Sequence, residues 1–406
     1  MGKGGERMVA AEPAGGPAGA GWDVASPGAG AAPGAGAKRT GMRADFVWAE
    51  TGEPHIRRRK LILAKYPHLK KLQGPDPWFV PPRALCVIAL QCALAYAATG
   101  LAWWQINLLA YCVGAFCNQN LFLAIHELSH NLAFKKAVHN KLFGLLCNLP
   151  TCVQVSTPFT YYHRRHHVYM GDHHMDQDIP TKGEANLICN TVSKFVWAFF
   201  QVEVYALRPM FSMPKPPTAW DAAGWAACIA FDLGMLFGLG PKALGYLALS
   251  SHWSGSVHPI AGHFLTEHYL DLISRDDPDR VPEEPIVGGP QETYSYYGAL
   301  NLLTYNVGYH NEHHDFPQVP GSRLPLIRAA APEFYEPLQQ YNSWVHVMFK
   351  YITDPTIGPY SRVKRHIEGT AAAIKAGRGQ RESASASDNV EGIDPEATKA
   401  HGKKVD

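Results

Sequence analysis

Four long apolar stretches constrain this chain more than any other feature: residues 84–99, 103–125, 220–239 and 242–260. About 20 mostly apolar residues are enough for a helix to cross the hydrocarbon core of a bilayer. No water is present there, so backbone N–H and C=O groups must be satisfied within the segment, which selects helices. The first stretch is slightly short. The second contains Asn107, Asn118, Gln119 and Asn120, whose amides must face protein or a cavity and not lipid. A fifth apolar stretch, residues 187–207, is broken by Asn190, Lys194, Gln201 and Glu203. That pattern places it at the membrane interface and not across it.

The connections orient the spans. Residues 100–102 join the first pair and residues 240–241 the second, so each pair forms a tight hairpin whose tip carries no Lys or Arg. Basic residues gather on the other side, in the stretch before the first span and in the segment between the hairpins. The positive-inside rule then puts both tails and the middle segment in the cytosol. The expected fold is an all-α membrane protein: four transmembrane helices in two hairpins, with a cytosolic helical cap.

The flanks differ in composition. Residues 1–43 are rich in Gly, Ala and Pro and read as disordered. Residues 44–82 are basic and amphipathic, with Arg57, Arg58, Arg59, Lys60, Lys65, Lys70 and Lys71 among apolar residues, as suits a membrane-surface segment. Residues 83–367 form the membrane and cap domain, and residues 368–406 a polar C-terminal tail. No charged region followed by a short apolar core marks a cleaved signal peptide. Lys403 and Lys404 match a dilysine retrieval pattern, which points to the endoplasmic reticulum membrane with both termini cytosolic.

Charge and cysteine usage exclude other classes. The 37 Lys and Arg nearly balance the 35 Asp and Glu, so no strong positive field exists to hold nucleic acid. The eight cysteines all lie in apolar stretches without a CxxC pair, and are expected to be free.

Histidine is over-used, with 20 residues, and eight of them fall in three clusters. His126 and His130 stand at the end of the second span. His163, His166 and His167 lie in the middle segment. His310, His313 and His314 follow the fourth span. Residues three and four apart share a helix face, so each cluster is a preformed row of imidazoles. The two-hairpin topology brings all three to the cytosolic side. Imidazole suits zinc, copper, iron and nickel, and eight such donors exceed the four of a closed zinc site. Two metals sharing one site are expected. Isolated histidines, namely His55, His68, His139, His346, His366 and His401, read as ordinary core or surface residues.

The boxes HxxxH, HxxHH and HxxHH resemble those of the membrane fatty-acid desaturase and hydroxylase superfamily. Longer runs resemble its sphingolipid delta-4 desaturase branch: DFVWAETGEPHIRRRKLILAKYPHLKKL (residues 45–72), HPIAGHFLTEHY (258–269), ETYSYYGALNLLTYNVGYHNEHHDFPQVPG (292–321) and YNSWVHVMF (341–349). The resemblance covers about residues 44–367. It implies a non-haem di-iron oxidoreductase that uses O2 and takes electrons from cytochrome b5 and its NADH-dependent reductase. It further implies removal of two hydrogens from C4 and C5 of the sphinganine chain of dihydroceramide to give ceramide. Sphingolipid C4-hydroxylation and acyl-lipid desaturation are the neighbouring alternatives. A metal transporter fits poorly, because its ligands would lie near the bilayer midplane. The resemblance also adds a ninth ligand before the third box, with His268 the first candidate and His263 the second.

Further expectations follow from position. Glu127, Glu267, Glu312 and Asp315 stand beside the boxes and could orient imidazole N–H groups. Asn118 lies two turns before His126 and could reach the site. His173 and His174 read as solvated, and residues 271–290 as an inserted surface loop. No HPGG haem segment occurs in the sequence, so the electron donor is expected to be a separate protein.

Overall fold

The computed structural model describes residues 41–270 and 281–368. The expectations for the N-terminal 40 residues, for Lys403 and Lys404, and for all but the start of the C-terminal tail lie outside the described residues.

The described chain is mostly helical. It begins with strand β1 (Val47–Trp48), then helix α1 (Pro54–Lys65), α2 (Pro81–Ala98) and α3 (Trp103–Ser129), the last containing a π-turn at Ala110–Gly114. The middle segment carries α4 (Ala137–Asn148), α5 (Ser156–Val168), α6 (Lys182–Leu187), α7 (Thr191–Phe199) and α8 (Gln201–Ser212). Helices α9 (Ala219–Leu239) and α10 (Pro241–Ser254) follow, then the short α11 (His263–Thr266). The remainder holds β2 (Ser295–Tyr296), α12 (His310–Asp315), α13 (Leu324–Ala330), β3 (Gln340–Tyr341), α14 (Trp344–Thr353) and β4 (Val363–Lys364). Strands β1 and β4 pair in parallel, as do β2 and β3.

Among the described residues, three helices are long and apolar enough to cross a membrane: α2, α3 and α9. Over half of the apolar window of α3 is buried, 56%, against 22% for α2 and 17% for α9, so α3 is the central helix. The apolar side chains of α2 and α9 that remain exposed, such as Leu90, Ile229 and Phe237, are what lipid contact requires. The expectation of a fourth span meets a shorter helix. α10 has 14 residues, about 21 Å at 1.5 Å per residue, which is less than the roughly 30 Å hydrocarbon core. The apolar run continues beyond it, but Gly255 caps the helix and Ile260 and Ala261 are wholly buried in protein. Hydropathy alone does not separate burial in protein from burial in lipid.

Polar side chains join the apolar helices. Tyr246 donates to Gln91 (2.6 Å), Gln91 donates to Asn118 (2.5 Å), and Asn118 donates to Ser251 (2.8 Å), linking α2, α3 and α10. Interhelical hydrogen bonds of this kind hold helices that lipid cannot drive together. Asn118 is therefore spent within the bundle and does not reach the histidines. Gly240, at φ +94°, makes the turn from α9 to α10, a conformation that favours glycine, and Pro241 starts the next helix.

Gly114 marks a close approach of α3 to α10. A Cβ there would lie 2.8 Å from the Ser250 Cβ and still nearer its hydroxyl. Gly114→Ala is expected to destabilise the protein by about 1–3 kcal/mol through overpacking, read as a lower unfolding midpoint in detergent.

Two apolar clusters form outside the long apolar helices. One gathers Trp197, Leu265, Tyr269, Tyr294, Val347 and Tyr351, and the other Ile62, Leu69, Phe316, Ile327 and Tyr335. α7 and α8 have 9 and 12 residues, too few to span. Lys194 of α7 is fully buried and donates to the carbonyls of Asp354 and Ile357. Of the expected loop, residues 271–280 lie outside the described residues; in residues 281–290 Glu283, Pro285 and Gly288 are exposed while Glu284 and Val287 are buried, and Arg57 donates to the Val287 carbonyl (2.8 Å). All eight cysteines are free.

Candidate metal centre

The three histidine boxes sit on three helix ends. His126 is in the last turn of α3 and His130 caps it. His163, His166 and His167 occupy the last two turns of α5, and α12 carries His310, His313 and His314. The imidazoles converge in two adjoining sets. The first contains His126, His130, His163, His167 and His313, each with a ring nitrogen within 4.8 Å of the others. The second contains His166, His268 and His314, joined by His310, whose Nε2 lies 3.1 Å from that of His268. The sets touch where the His167 and His314 rings stack at 4.2 Å.

The nitrogens face one another. Nε2 atoms lie 2.9 Å apart for His163 and His130, and 3.1 Å apart for His167 and His163 and for His313 and His167. In the second set the His166 and His268 Nε2 atoms are 3.0 Å apart. A proton can sit between two facing nitrogens, but His163 meets two partners with one Nε2, and so does His268. The buried Nε2 atoms of His126 and His314 have no hydrogen-bond partner at all. Burial, followed by repulsion from neighbouring imidazoles and cations, holds His163, His167, His268, His310, His313 and His314 well below the ordinary imidazole range. These rings are neutral at pH 7, and their convergent lone pairs are the donor set a soft or borderline cation takes. The residues fit a pair of metal ions.

His268 and His263 part company. His263 turns to the Ile260 carbonyl (3.1 Å) and to the Gln119 amide (3.2 Å), outside both sets. His173 and His174 also lie outside, near His366.

The carboxylates beside the boxes do other work. His126 Nδ1 is 3.8 Å from Glu127 and His310 Nδ1 is 3.7 Å from Glu267, both beyond hydrogen-bond length. Glu127 accepts instead from the Gly321 amide (2.9 Å), tying α3 to the chain after α12. Glu312 accepts from Ser295 and Tyr297. Among the described residues, the carboxylate that holds an imidazole of the boxes is Asp176, 3.0 Å from His166 Nδ1. Burial opposes charge on His166, yet Asp176 raises its pKa above the ordinary value. His268 Nδ1 donates to the Glu292 carbonyl (3.1 Å). Neither partner was legible in the sequence, because the loop from Tyr169 to Thr181 has no periodicity and Glu292 acts through its backbone.

Comparisons with known proteins agree with one another. A family profile described as "Fatty acid desaturase" matches residues 46–344. The chain is similar to "Sphingolipid delta(4)-desaturase DES1-like" of Oryza sativa subsp. japonica, 48% identical over 337 residues, covering 83% of this chain and 98% of the relative. It is 43% identical over 332 residues to "Sphingolipid delta(4)-desaturase DES1" of Homo sapiens, covering 80% and 97%. It is 45% identical over 334 residues to "Sphingolipid delta(4)-desaturase" of Candida albicans, covering 79% and 88%.

Proposed function

Because this chain belongs to the fatty acid desaturase family, we propose that it is a sphingolipid delta-4 desaturase, which uses O2 to place a trans double bond between C4 and C5 of the sphinganine chain of dihydroceramide. The observation that carries the reading is the gathering of nine imidazoles into two adjoining sets. In this reading His126, His130, His163, His167 and His313 hold one iron, and His166, His268, His310 and His314 hold the other. Two non-haem irons, when bound, supply with O2 the oxidising power that C–H cleavage needs and that acid–base side chains lack.

The chain's own residues set the conditions for that chemistry. Asp176 accepts from His166 Nδ1 and the Glu292 carbonyl accepts from His268 Nδ1, so in both rings Nε2 is left as the lone-pair donor. Burial of His126, His310, His313 and His314 keeps bulk water from the reacting carbons. The histidines lie at the end of the apolar helix α3, so a lipid chain can enter from the bilayer while its polar head stays near the cap. Electrons come, in this reading, from cytochrome b5 and its NADH-dependent reductase. The protein resides in the endoplasmic reticulum membrane with both termini cytosolic, and α10 is the short return limb of the second hairpin.

The test is mass spectrometry of sphingolipids from microsomes of a host lacking this activity, given the chain, NADH and dihydroceramide. Ceramide with a C4–C5 double bond is the expected product. A product bearing only an added C4 hydroxyl would overturn the reading in favour of a hydroxylase.

A further inference from the structure

The basic stretch of α1 contains one arginine that is not on any surface. Arg58 is fully buried, on a stripe with His55 and Ile62 that faces the cap at helical spacing. Its guanidinium grips Asp315 with two parallel bonds, Nε to Oδ2 at 2.8 Å and Nη2 to Oδ1 at 3.0 Å. Nη2 also donates to Asn311 Oδ1 (3.1 Å), and Nη1 reaches Glu284 at 3.4 Å. Tyr335 donates to Asp315 (2.9 Å), and His55 bridges Asp315 (2.7 Å) and Thr293 (2.8 Å).

The positions of these partners matter. α12 has six residues, too few to hold a helix by its own hydrogen bonds. Asn311 and Asp315 are four apart and share one face. His310, His313 and His314 share another. A guanidinium is a rigid planar fork, and one fork that bonds residues i and i+4 from behind fixes how the helix is turned about its axis. We propose that Arg58 is a positioning residue for the metal centre, holding α12 in the rotation that aims its three imidazoles, without bonding any of them. A bidentate, charge-assisted pair supplies direction as well as attraction, and Lys in its place would keep the charge and lose the fork.

The inference rests on the reading of the α12 histidines as iron ligands. It is tested on the full chain, purified in detergent, with iron per chain, the rate of iron release to a ferrous chelator, and the unfolding midpoint of the metal-depleted protein. Arg58→Lys is expected to leave that midpoint unchanged while releasing iron about 10–100-fold faster, the range for loss of a partner that orients a ligand. Iron retention equal to the wild type in the folded variant would overturn the proposal. If Arg58→Lys does not fold, the double replacement Arg58→Met with Asp315→Leu, which removes both charges at similar volume, decides on the same criteria. Failure of both to fold would also overturn it, because the pair would then determine folding and not ligand aim. Wild-type protein that binds no iron would remove the parent reading and this proposal with it. Iron-loaded wild type beside unaffected variants would defeat the proposal alone.

Discussion

His313→Ala is expected to abolish turnover of dihydroceramide while leaving the amount of membrane-inserted protein unchanged. The His313 ring lies 4.5 Å from that of His126 and 4.8 Å from those of His130 and His167, so it touches three other members of its set. Its Nε2 meets that of His167 at 3.1 Å. Loss of a residue that merely orients a metal ligand costs about 10–100-fold in metal affinity or activity, so loss of a donor should cost more. Insertion depends on α2, α3 and α9, whose apolar windows do not include α12. Microsomal assay beside immunoblotting of the carbonate-washed membrane fraction separates the two effects. Turnover within tenfold of the wild type would remove His313 from the metal-holding set.

Trp344→Ala is expected to destabilise the protein by about 3–5 kcal/mol, the usual range for a buried aromatic cut to Ala. Trp344 begins α14, is 1% exposed, and stacks on Tyr296 at 4.3 Å. Gly262 backs directly onto it: a Cβ at Gly262 would lie 2.7 Å from the Trp344 Cβ and 2.8 Å from its carbonyl carbon. The indole therefore fills a space shaped by the turn that leads to His263 and His268 on one side and by β2 on the other. Its removal leaves a cavity under the approach to the second imidazole set. The unfolding midpoint in detergent should fall sharply for Trp344→Ala and much less for Trp344→Phe. Similar midpoints for the two variants would show that the neighbours collapse into the space.

The two variants act on different levels of the same structure, and those levels were not equally legible. The helical spacing of each histidine box is a local property, and α3, α5 and α12 each carry one box. The apolar runs likewise mark α2, α3 and α9 before any fold is known. By contrast, the end of α10 at Ser254 was not legible, because an apolar side chain bound for the protein interior and one bound for lipid look alike in hydropathy. The basic stretch before the first span misled in a related way. Arg58 reads as one of a basic row on a membrane surface, yet it is buried because Asp315, 257 residues away, neutralises it. Asp176 was overlooked in favour of the carboxylates adjacent to the boxes, since nearness in sequence was the only guide.

The amino-acid sequence by itself determined the membrane class, the apolar runs of α2, α3 and α9 together with a fourth run that proved shorter as a helix, and the rows of imidazoles, because helix periodicity and hydropathy act over a few turns of one segment. Tertiary packing decided how those rows divide into two sets, that His268 joins them while His263 turns away, and which distant side chains hold them in place. Such choices depend on atoms brought within about 3 Å by the folding of remote segments, and no periodic signal in the chain records them.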